Sequence, residues 1–439
     1  MSIDKSSPSV PSSTRRQFLQ LSGAAAGAVF LSTSLGGLLS GVAQAAEGKL
    51  VFWSQLAGSK KAAGDSLEAA FRSAYPGITL DSNLFGDPVQ LHQKLLTAIS
   101  SNTAPDLFVQ HWDYSLAYAY GDKLLKLDGA IEGLDLVQDV DPTLLAYSAI
   151  GDDHYSVPLY GTSRGFAFNR DYVKEAGLDA GKPPRNWQEL RDWAIKLTKR
   201  NSRGELEVAG FNPFNNDEAA WSLFLLLLQG AGGSLLSQDL KKPTFAGPEG
   251  VKALQFIYDL IHVDRVSDVG FGVGGTGTNH IFNQKRAASY VAGNYSINHA
   301  VNAGIDLGIS GFPKEQDGFT SFVDPFSFAV PASATNRPAA LTFIQFALSL
   351  DRQVAFALES KNVPALKAAQ KDPRFLADPL LAQFAEFSTY APDHPAVVPT
   401  AAEIYNIIAQ AVQQAVHQKA SPEQALKAAA SEVEPLLDV

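Results

Sequence analysis

The chain contains no cysteine among its 439 residues. There is therefore no disulfide framework, no thiol nucleophile and no cysteine-ligated zinc or iron–sulfur site. No cysteine is present to carry a lipid anchor either. Basic residues are outnumbered, 35 Lys and Arg against 45 Asp and Glu, a net charge of −10. A surface of that sign repels nucleic acid and anionic lipid and helps solubility. A strongly apolar run is missing as well. The stretch from Leu21 to about Leu39 is diluted by Gly, Ser and Thr, and falls short of the roughly 20 apolar residues a membrane-spanning helix needs. The eight histidines never reach a zinc-binding spacing.

What is present begins with an address. Thr14-Arg15-Arg16-Gln17-Phe18-Leu19-Gln20 precedes the diluted apolar run, and Ala43-Gln44-Ala45 closes it with an A-x-A cleavage pattern. Residues 1–45 read as a twin-arginine signal peptide, an address read by a receptor rather than an anchor. With no lipid-bearing cysteine, the product is expected free in the periplasm of a Gram-negative cell. Cleavage removes Lys5, Arg15 and Arg16 but only one acid, Asp4, so the mature chain is still more acidic. Roughly 394 residues remain, more than one hydrophobic core usually serves, and two domains are expected.

The first third alternates short apolar runs with helical periodicity. Leu50-Val51-Phe52-Trp53, Ile78-Thr79-Leu80 and Asp106-Leu107-Phe108-Val109 read as strands. Between them lie a helix with Leu67, Ala70 and Phe71 on one face and a second helix opened by Asp87-Pro88. Val89, Leu91, Leu95, Leu96 and Ile99 are expected to form the second helix's buried stripe. Strands separated by helices predict βαβ units and a largely parallel sheet. Further on, Gly165-Phe166-Ala167-Phe168 reads as a strand, and Asn186-Trp187-Gln188-Glu189 as a capping box opening a helix. A very apolar helix runs from Trp221 to Gln229, and the last eighty residues look almost wholly helical.

Three motifs carry less than they promise. Gly161-Thr162-Ser163-Arg164-Gly165 matches G-x-S-x-G, with Asp324 and His394 downstream. A nucleophile elbow needs a helix straight after the serine, whereas Phe166-Ala167-Phe168-Asn169 reads as a strand. Gly272-Val273-Gly274-Gly275-Thr276-Gly277 matches G-x-G-x-x-G without a preceding strand. It reads as a glycine loop capping a helix near residues 279–285. Asp152-Asp153-His154 suits a solvated hairpin better than a metal site. No catalytic constellation, metal site or cofactor is expected.

The order of several segments resembles the extracellular solute-binding proteins of ABC importers, in the maltose-binding-protein-like branch of sugar receptors. The stretches are Val51-Phe52-Trp53, Pro105-Asp106-Leu107-Phe108, Tyr155-Ser156-Val157-Pro158, Phe166-Ala167-Phe168-Asn169, Pro184-Arg185-Asn186-Trp187-Gln188-Glu189-Leu190, Gly232-Gly233 and Phe282-Asn283-Gln284-Lys285-Arg286-Ala287-Ala288. Together they cover essentially the whole mature chain. The resemblance implies a two-lobed α/β fold of the type II periplasmic-binding-protein kind, each lobe a mostly parallel sheet flanked by helices. Lobe one is expected over 46–157 plus 325–364 and lobe two over 160–318 plus 367–439. The crossings fall near 158–160, 317–326 and 363–367. It also implies a monomer that acts without catalysis and hands a small-molecule ligand, a sugar or oligosaccharide, to membrane permease subunits.

Ligands of open α/β sheets sit beyond the carboxyl ends of strands, and two lobes close on them by hinge motion. Trp53 and Gln55 follow the first strand, and His111, Trp112, Asp113 and Tyr114 follow the third. The second cluster resembles a sugar-contacting loop of the family, with Asp113 accepting from hydroxyls. Asn212-Pro213-Phe214 stands where a sugar-binding relative has Glu-Pro-Tyr, making Phe214 a stacking platform without the acid. Tyr295 stands where many members carry a tryptophan. Tyr405 lies in another aromatic-bearing family stretch, and Trp221 is open to a cleft or a core role. Asp324 and Phe326 lie in Val323-Asp324-Pro325-Phe326, where many relatives have a Gly-Gly pair, which suggests a differently shaped cleft floor. Arg164 is open to binding a ligand anion or a structural acid. On the first reading, Arg164 and His111 would hold a glycerol-phosphate ester or an acidic sugar. A serine hydrolase using Ser163 is the alternative from another class.

Overall fold

A computed structural model describes residues 47–214, 216–391 and 397–438. Residues 1–46, with the expected signal peptide, and His394 lie outside the described residues. Strand β1 (Gly48–Ser54) pairs in parallel with β2 (Ile78–Leu84) and β3 (Leu107–His111). The crossovers are helices α1 (Lys61–Ala74) and α2 (Pro88–Ser100). Asp87 caps α2 by accepting from the backbone N–H groups of Val89 and Gln90, and Pro88 occupies the first turn, where its missing N–H costs nothing. The buried stripe of α2 is Leu91, Leu95, Ala98 and Ile99. Val89 and Leu96, expected in that stripe, are exposed. With 3.6 residues per turn they lie roughly 120° round the helix from the face the other four share.

The longest strand, β4 (Val157–Asn169), is buried at every position. Its first half pairs antiparallel with β7 (Val323–Ala329), and Tyr160 and Gly161 also pair with β8 (Val363–Pro364). Its second half pairs antiparallel with β5 (Ser289–Gly293) and β6 (Leu307–Ser310). One continuous strand thus belongs to two packed bodies. The first body gathers Leu50, Phe52, Phe71, Phe328 and Phe343 around β1, β3 and β7. The second gathers Phe166, Phe168 and Trp193 with helix α5 (Asp217–Gly230) and helix α6 (Ala401–Val416). In α5 every residue from Ala220 to Leu228 is buried, as expected of a helix apolar all round. The chain is a two-lobed α/β protein.

Two local readings change, and a third stands as expected. Helix α4 (Trp187–Leu197) has its N-cap where Asn186 accepts from the Glu189 N–H at 2.9 Å. The Glu189 carboxylate, however, accepts from the Arg185 N–H, one residue before the cap, so the box is not closed. The helix expected near 279–285 is absent. A single 3₁₀ turn spans Gly277–Asn279, after which the Asn283 amide donates to the Gly277 carbonyl and the Phe282 N–H donates to His280 Nδ1. Such side-chain bonds give the backbone an alternative to helical pairing. Finally, Asp153–His154 pairs with Ala149–Ile150 as a hairpin, where His154 contacts Asp128. Among the described residues no group of His, Asp and Glu is arranged to hold a metal ion.

The glycines of G-x-S-x-G have a packing role. A Cβ on Gly161 would lie 2.7 Å from the Leu144 side chain. One on Gly165 would lie 2.5 Å from the Ser310 carbonyl oxygen and 2.6 Å from the Phe387 ring. Ser163 between them is wholly buried, and its hydroxyl faces Ser321 at 3.5 Å rather than a base. The hydrolase alternative therefore loses its nucleophile, because the serine sits mid-strand and out of reach of substrate. Gly165→Ala is expected to destabilise the fold by about 1–3 kcal/mol through overpacking, measured by urea unfolding followed by tryptophan fluorescence. An unchanged midpoint would mean that the β4–β6 contact is looser than described.

Candidate functional site

Between the two bodies, beyond the carboxyl ends of β1 and β3, lies a cavity of about 350 Å³. One wall is Gln55, Lys60, His111, Asp113 and Tyr114; the other is Glu218, Trp221, Tyr295, Tyr405 and Asn406. Thr162, Arg164 and Phe326 form its floor. A second cavity of about 210 Å³ adjoins it, sharing Arg164, Glu218 and Tyr295, and is walled by Asn212 and Phe214 on one side.

A chain of charge runs beneath the first cavity. His111 Nδ1 contacts Asp113 Oδ1 at 2.6 Å, and His111 Nε2 contacts Asp324 Oδ2 at 2.9 Å. The other Asp324 oxygen accepts from Arg164 Nη1 at 3.1 Å and from the Thr162 hydroxyl. Arg164 Nη2 then reaches Glu218 Oε1 at 3.0 Å. Asp324 is 0% exposed and Arg164 only 4%. Sheet register creates the arrangement: Asp324 pairs with Thr162, and Phe326 pairs with His111.

Burial alone would strip the proton from His111, but the carboxylates of Asp113 and Asp324 outweigh it and raise its pKa to about 10. For Asp324, burial favours the neutral acid, and the Arg164 and His111 charges overcome it, holding the carboxyl below its usual range. Arg164 is held charged in the same way. Lys60 differs. Its ammonium lies 4.3 Å from the centre of the Phe326 ring and has no hydrogen-bond or ion-pair partner among the described residues. Burial lowers its pKa to about 8, with Glu218 and Asp324 offsetting part of the shift and Arg164 adding to it.

The expected site residues divide accordingly. Gln55, His111, Asp113, Arg164, Trp221, Tyr295, Phe326 and Tyr405 line the first cavity, and Asn212 and Phe214 the second. Asp324 lies under the floor. Trp53 packs on Phe85 at 5.5 Å and lines neither cavity. Trp112 is fully buried against Tyr147, because helix α3 (Trp112–Ala119) starts directly after β3 and turns that side chain inward. The aromatic platforms are also partly taken. Trp221 stacks on Tyr405 at 4.4 Å and 10°, and Phe326 stacks on Tyr160 at 5.0 Å with Lys60 on the ring. Arg164 binds structural acids rather than waiting for an anion, and His111 is engaged likewise. Both groups on which the phosphate or acidic-sugar reading relies are thus already paired with carboxylates.

Lys60, Thr162, Glu218 and Asn406 were not singled out from the sequence, nor were Thr276, His280, Asn283 and His299 around the second cavity. Lys60 did carry a signal, since it lies in the loop after the first strand, where ligands of such sheets sit.

Residues 54–354 match the family of bacterial extracellular solute-binding proteins. The chain belongs to that family. The maltotriose-binding protein of Pyrococcus abyssi is 23% identical over 359 residues, 80% of this chain and 73% of that one. The galactooligosaccharide-binding protein of Bacillus subtilis is 25% identical over 69% of this chain and 72% of its own length. Among solved structures, an ABC transporter solute-binding protein from Thermotoga lettingae bound with alpha-D-tagatose aligns with a TM-score of 0.77 at 23% identity. It is covered over 99% of its length by 89% of this chain. The GacH receptor of Streptomyces glaucescens gives the same TM-score at 20% identity. These likenesses identify the fold as that of a two-lobed solute-binding protein with its cleft between the lobes.

Removing one partner from a buried ion pair strands the other, at a cost of about 3–5 kcal/mol. Asp324→Asn, which leaves Arg164 and His111 as buried cations, is expected to lose about that much stability in urea unfolding at pH 7. Because the His111 pKa is raised on folding, its contribution is complete below about 6.5 and disappears as pH rises through about 10. His111→Gln should flatten that alkaline decline, and an unaltered decline would assign it to another group. The Asp324 contribution runs the other way, present above the usual carboxylate pKa and lost as pH falls through its depressed value.

Proposed function

We propose that this solute-binding protein holds a sugar or oligosaccharide between its lobes and delivers it to the membrane subunits of an ABC importer. The observation that carries the reading is the first cavity itself. Its groups are those that satisfy hydroxyls: an ammonium, carboxylates, the amides of Gln55 and Asn406, and the edges of Tyr114 and Tyr295. The sugars bound by several relatives support it. Charge balance refines it. Lys60, His111 and Arg164 stand against Asp113, Glu218 and Asp324, so the cavity is neutral before a ligand enters and suits an uncharged one. The protein acts by binding, without a catalytic step, as a monomer.

We place lobe one over 46–157 plus 325–364 and lobe two over 160–318 plus 367–439, with β4, β7 and β8 carrying the crossings. The family is extracellular, and we assign export to the twin-arginine signal of residues 1–45, with release free into the periplasm because the chain has no cysteine for a lipid. Changing Arg15 and Arg16 to Lys should leave folded precursor in the cytoplasm, seen by fractionation. Normal export of that variant would reject the route but not the receptor.

Calorimetry against glucose, galactose and mannose and their di- and trisaccharides tests the ligand class. At a ligand concentration of about 100 Kd, binding should stabilise the fold by about 2.7 kcal/mol. Silence across the whole panel would overturn the sugar reading. For any sugar that binds, protonated Lys60 donates the stronger, charge-assisted hydrogen bond, so affinity is expected to be flat below pH 8 and to fall above it. Lys60→Arg, which keeps its charge, should hold affinity level to pH 9.5. A wild-type profile that stays level would remove Lys60 from the contact.

A further inference from the structure

Two adjacent lysines meet opposite surroundings. Lys61 opens α1, keeps 56% of its side chain exposed and pairs with Asp65 at 2.5 Å. Lys60 turns into the first cavity instead. Its backbone N–H closes the 3₁₀ turn Gly58–Lys60 onto the Ala57 carbonyl at 3.2 Å, and Gly58, at φ 61°, supplies the left-handed residue that turn starts on. The turn packs against Asn294–Ser296 on the opposite wall. The Lys60 ammonium thereby stands where the lobes meet, 4.3 Å from the centre of the Phe326 ring and 6.0 Å from that of Tyr160. It has no ion-pair partner among the described residues.

Titratable groups surround this amine from every element of the cavity. β3 and α3 bring His111, Asp113 and Tyr114, and α5 brings Glu218. β4 brings Tyr160 and Arg164, β7 brings Asp324, the Asn294–Ser296 turn brings Tyr295, and α6 brings Tyr405. Burial favours the uncharged amine by more than Glu218 and Asp324 favour the ammonium, and the pKa settles at about 8. At pH 7 about a tenth of Lys60 is then neutral, against roughly a few parts in ten thousand of an ordinary lysine. The neutral form is the nucleophile, and a desolvated lysine of this kind condenses with carbonyl compounds.

We propose that Lys60 is a site of covalent modification by reducing sugars, its amine condensing with the aldehyde of an open-chain sugar in the cavity. The presence of larger sugars there rests on the receptor reading above; the reactivity of the amine does not. The nitrogen lone pair attacks the carbonyl carbon, a proton moves from nitrogen to the former carbonyl oxygen, and the carbinolamine loses one water to give an imine. Amine and aldehyde thus yield imine and water, with no oxidant or reductant. The second carboxylate oxygens of Asp113 and Glu218, free of partners among the described residues, are acceptors for the moving proton. Charge selects this chemistry over acylation. A protonated imine keeps the positive charge of Lys60, so Lys60, His111 and Arg164 still balance Asp113, Glu218 and Asp324. An amide or a carbamate at that nitrogen would leave one buried carboxylate uncompensated. A sugar bonded here lies between the lobes and cannot be handed on, so each adduct takes one receptor out of use.

The experiment treats the intact protein with glyceraldehyde, the smallest aldose, and in parallel with glucose, galactose, mannose and their reducing dimers. Cyanoborohydride reduces the imine to a stable secondary amine, and tandem mass spectrometry compares Lys60 with Lys61. At pH 7 Lys60 should be modified at least about tenfold more than Lys61, because of its larger neutral fraction. Its rate should rise to about pH 8 and level off there, while that of Lys61 keeps rising. Lys60→Arg should lose the adduct at position 60 alone, and the modified wild type should no longer bind free sugar in calorimetry. Equal modification of Lys60 and Lys61 by glyceraldehyde would overturn the proposal and leave the receptor intact. So would a hexose that binds in calorimetry yet never marks Lys60. Selective modification by glyceraldehyde, with every larger sugar silent in calorimetry, would uphold the adduct site and overturn the receptor reading alone.

Discussion

The site depends on one buried carboxylate. Asp324, fully shielded from solvent, uses its two oxygens to hold His111 on one side and Arg164 on the other. Desolvating three ionised groups is expensive, and only good geometry with complete hydrogen bonding offsets it. Thr162, Asp113 and Glu218 supply the remaining partners. Three β-strand segments, around residues 111, 162–164 and 324, are thereby held in one orientation at the point where the lobes meet.

Two consequences reach the cavities. The cations held by Asp324 already have carboxylate partners, whereas the Lys60 ammonium in the same cavity has none among the described residues. The aromatics show the same economy of partners. Trp221 with Tyr405 and Phe326 with Tyr160 are stacked pairs already, so one face of each ring is covered.

Local signals were legible wherever their physics is local. Asp87-Pro88 opens a helix because a carboxylate and a missing N–H satisfy the first turn without help from the rest of the chain. The buried leucines of α5 declare a core helix by composition alone. The failure of G-x-S-x-G as an elbow was readable too, since Phe166-Ala167-Phe168 continues the strand. Ambiguity began where side-chain direction matters. Trp112 and Tyr114 are two residues apart in one short helix, yet one faces the core and the other the cavity. Val89 and Leu96 are apolar like their neighbours but lie on the wrong side of α2.

The sequence by itself determined the class of the molecule: its two-lobed α/β plan, the acidic and thiol-free composition, and the stretches whose strand ends carry polar and aromatic residues. Tertiary structure alone decided what those residues do. Arg164 and Asp324 are 160 positions apart, and His111 and Asp324 are 213 apart. Their pairing follows from strand register, which no local window contains. Likewise Lys60 is an ordinary lysine in the chain and comes to stand over the Phe326 ring in a cavity, with no ion-pair partner among the described residues, only when β7 brings that ring beneath it. Helix starts and strand runs come from short-range sterics and hydrogen bonds, whereas charge state and ligand contact come from what folding places opposite.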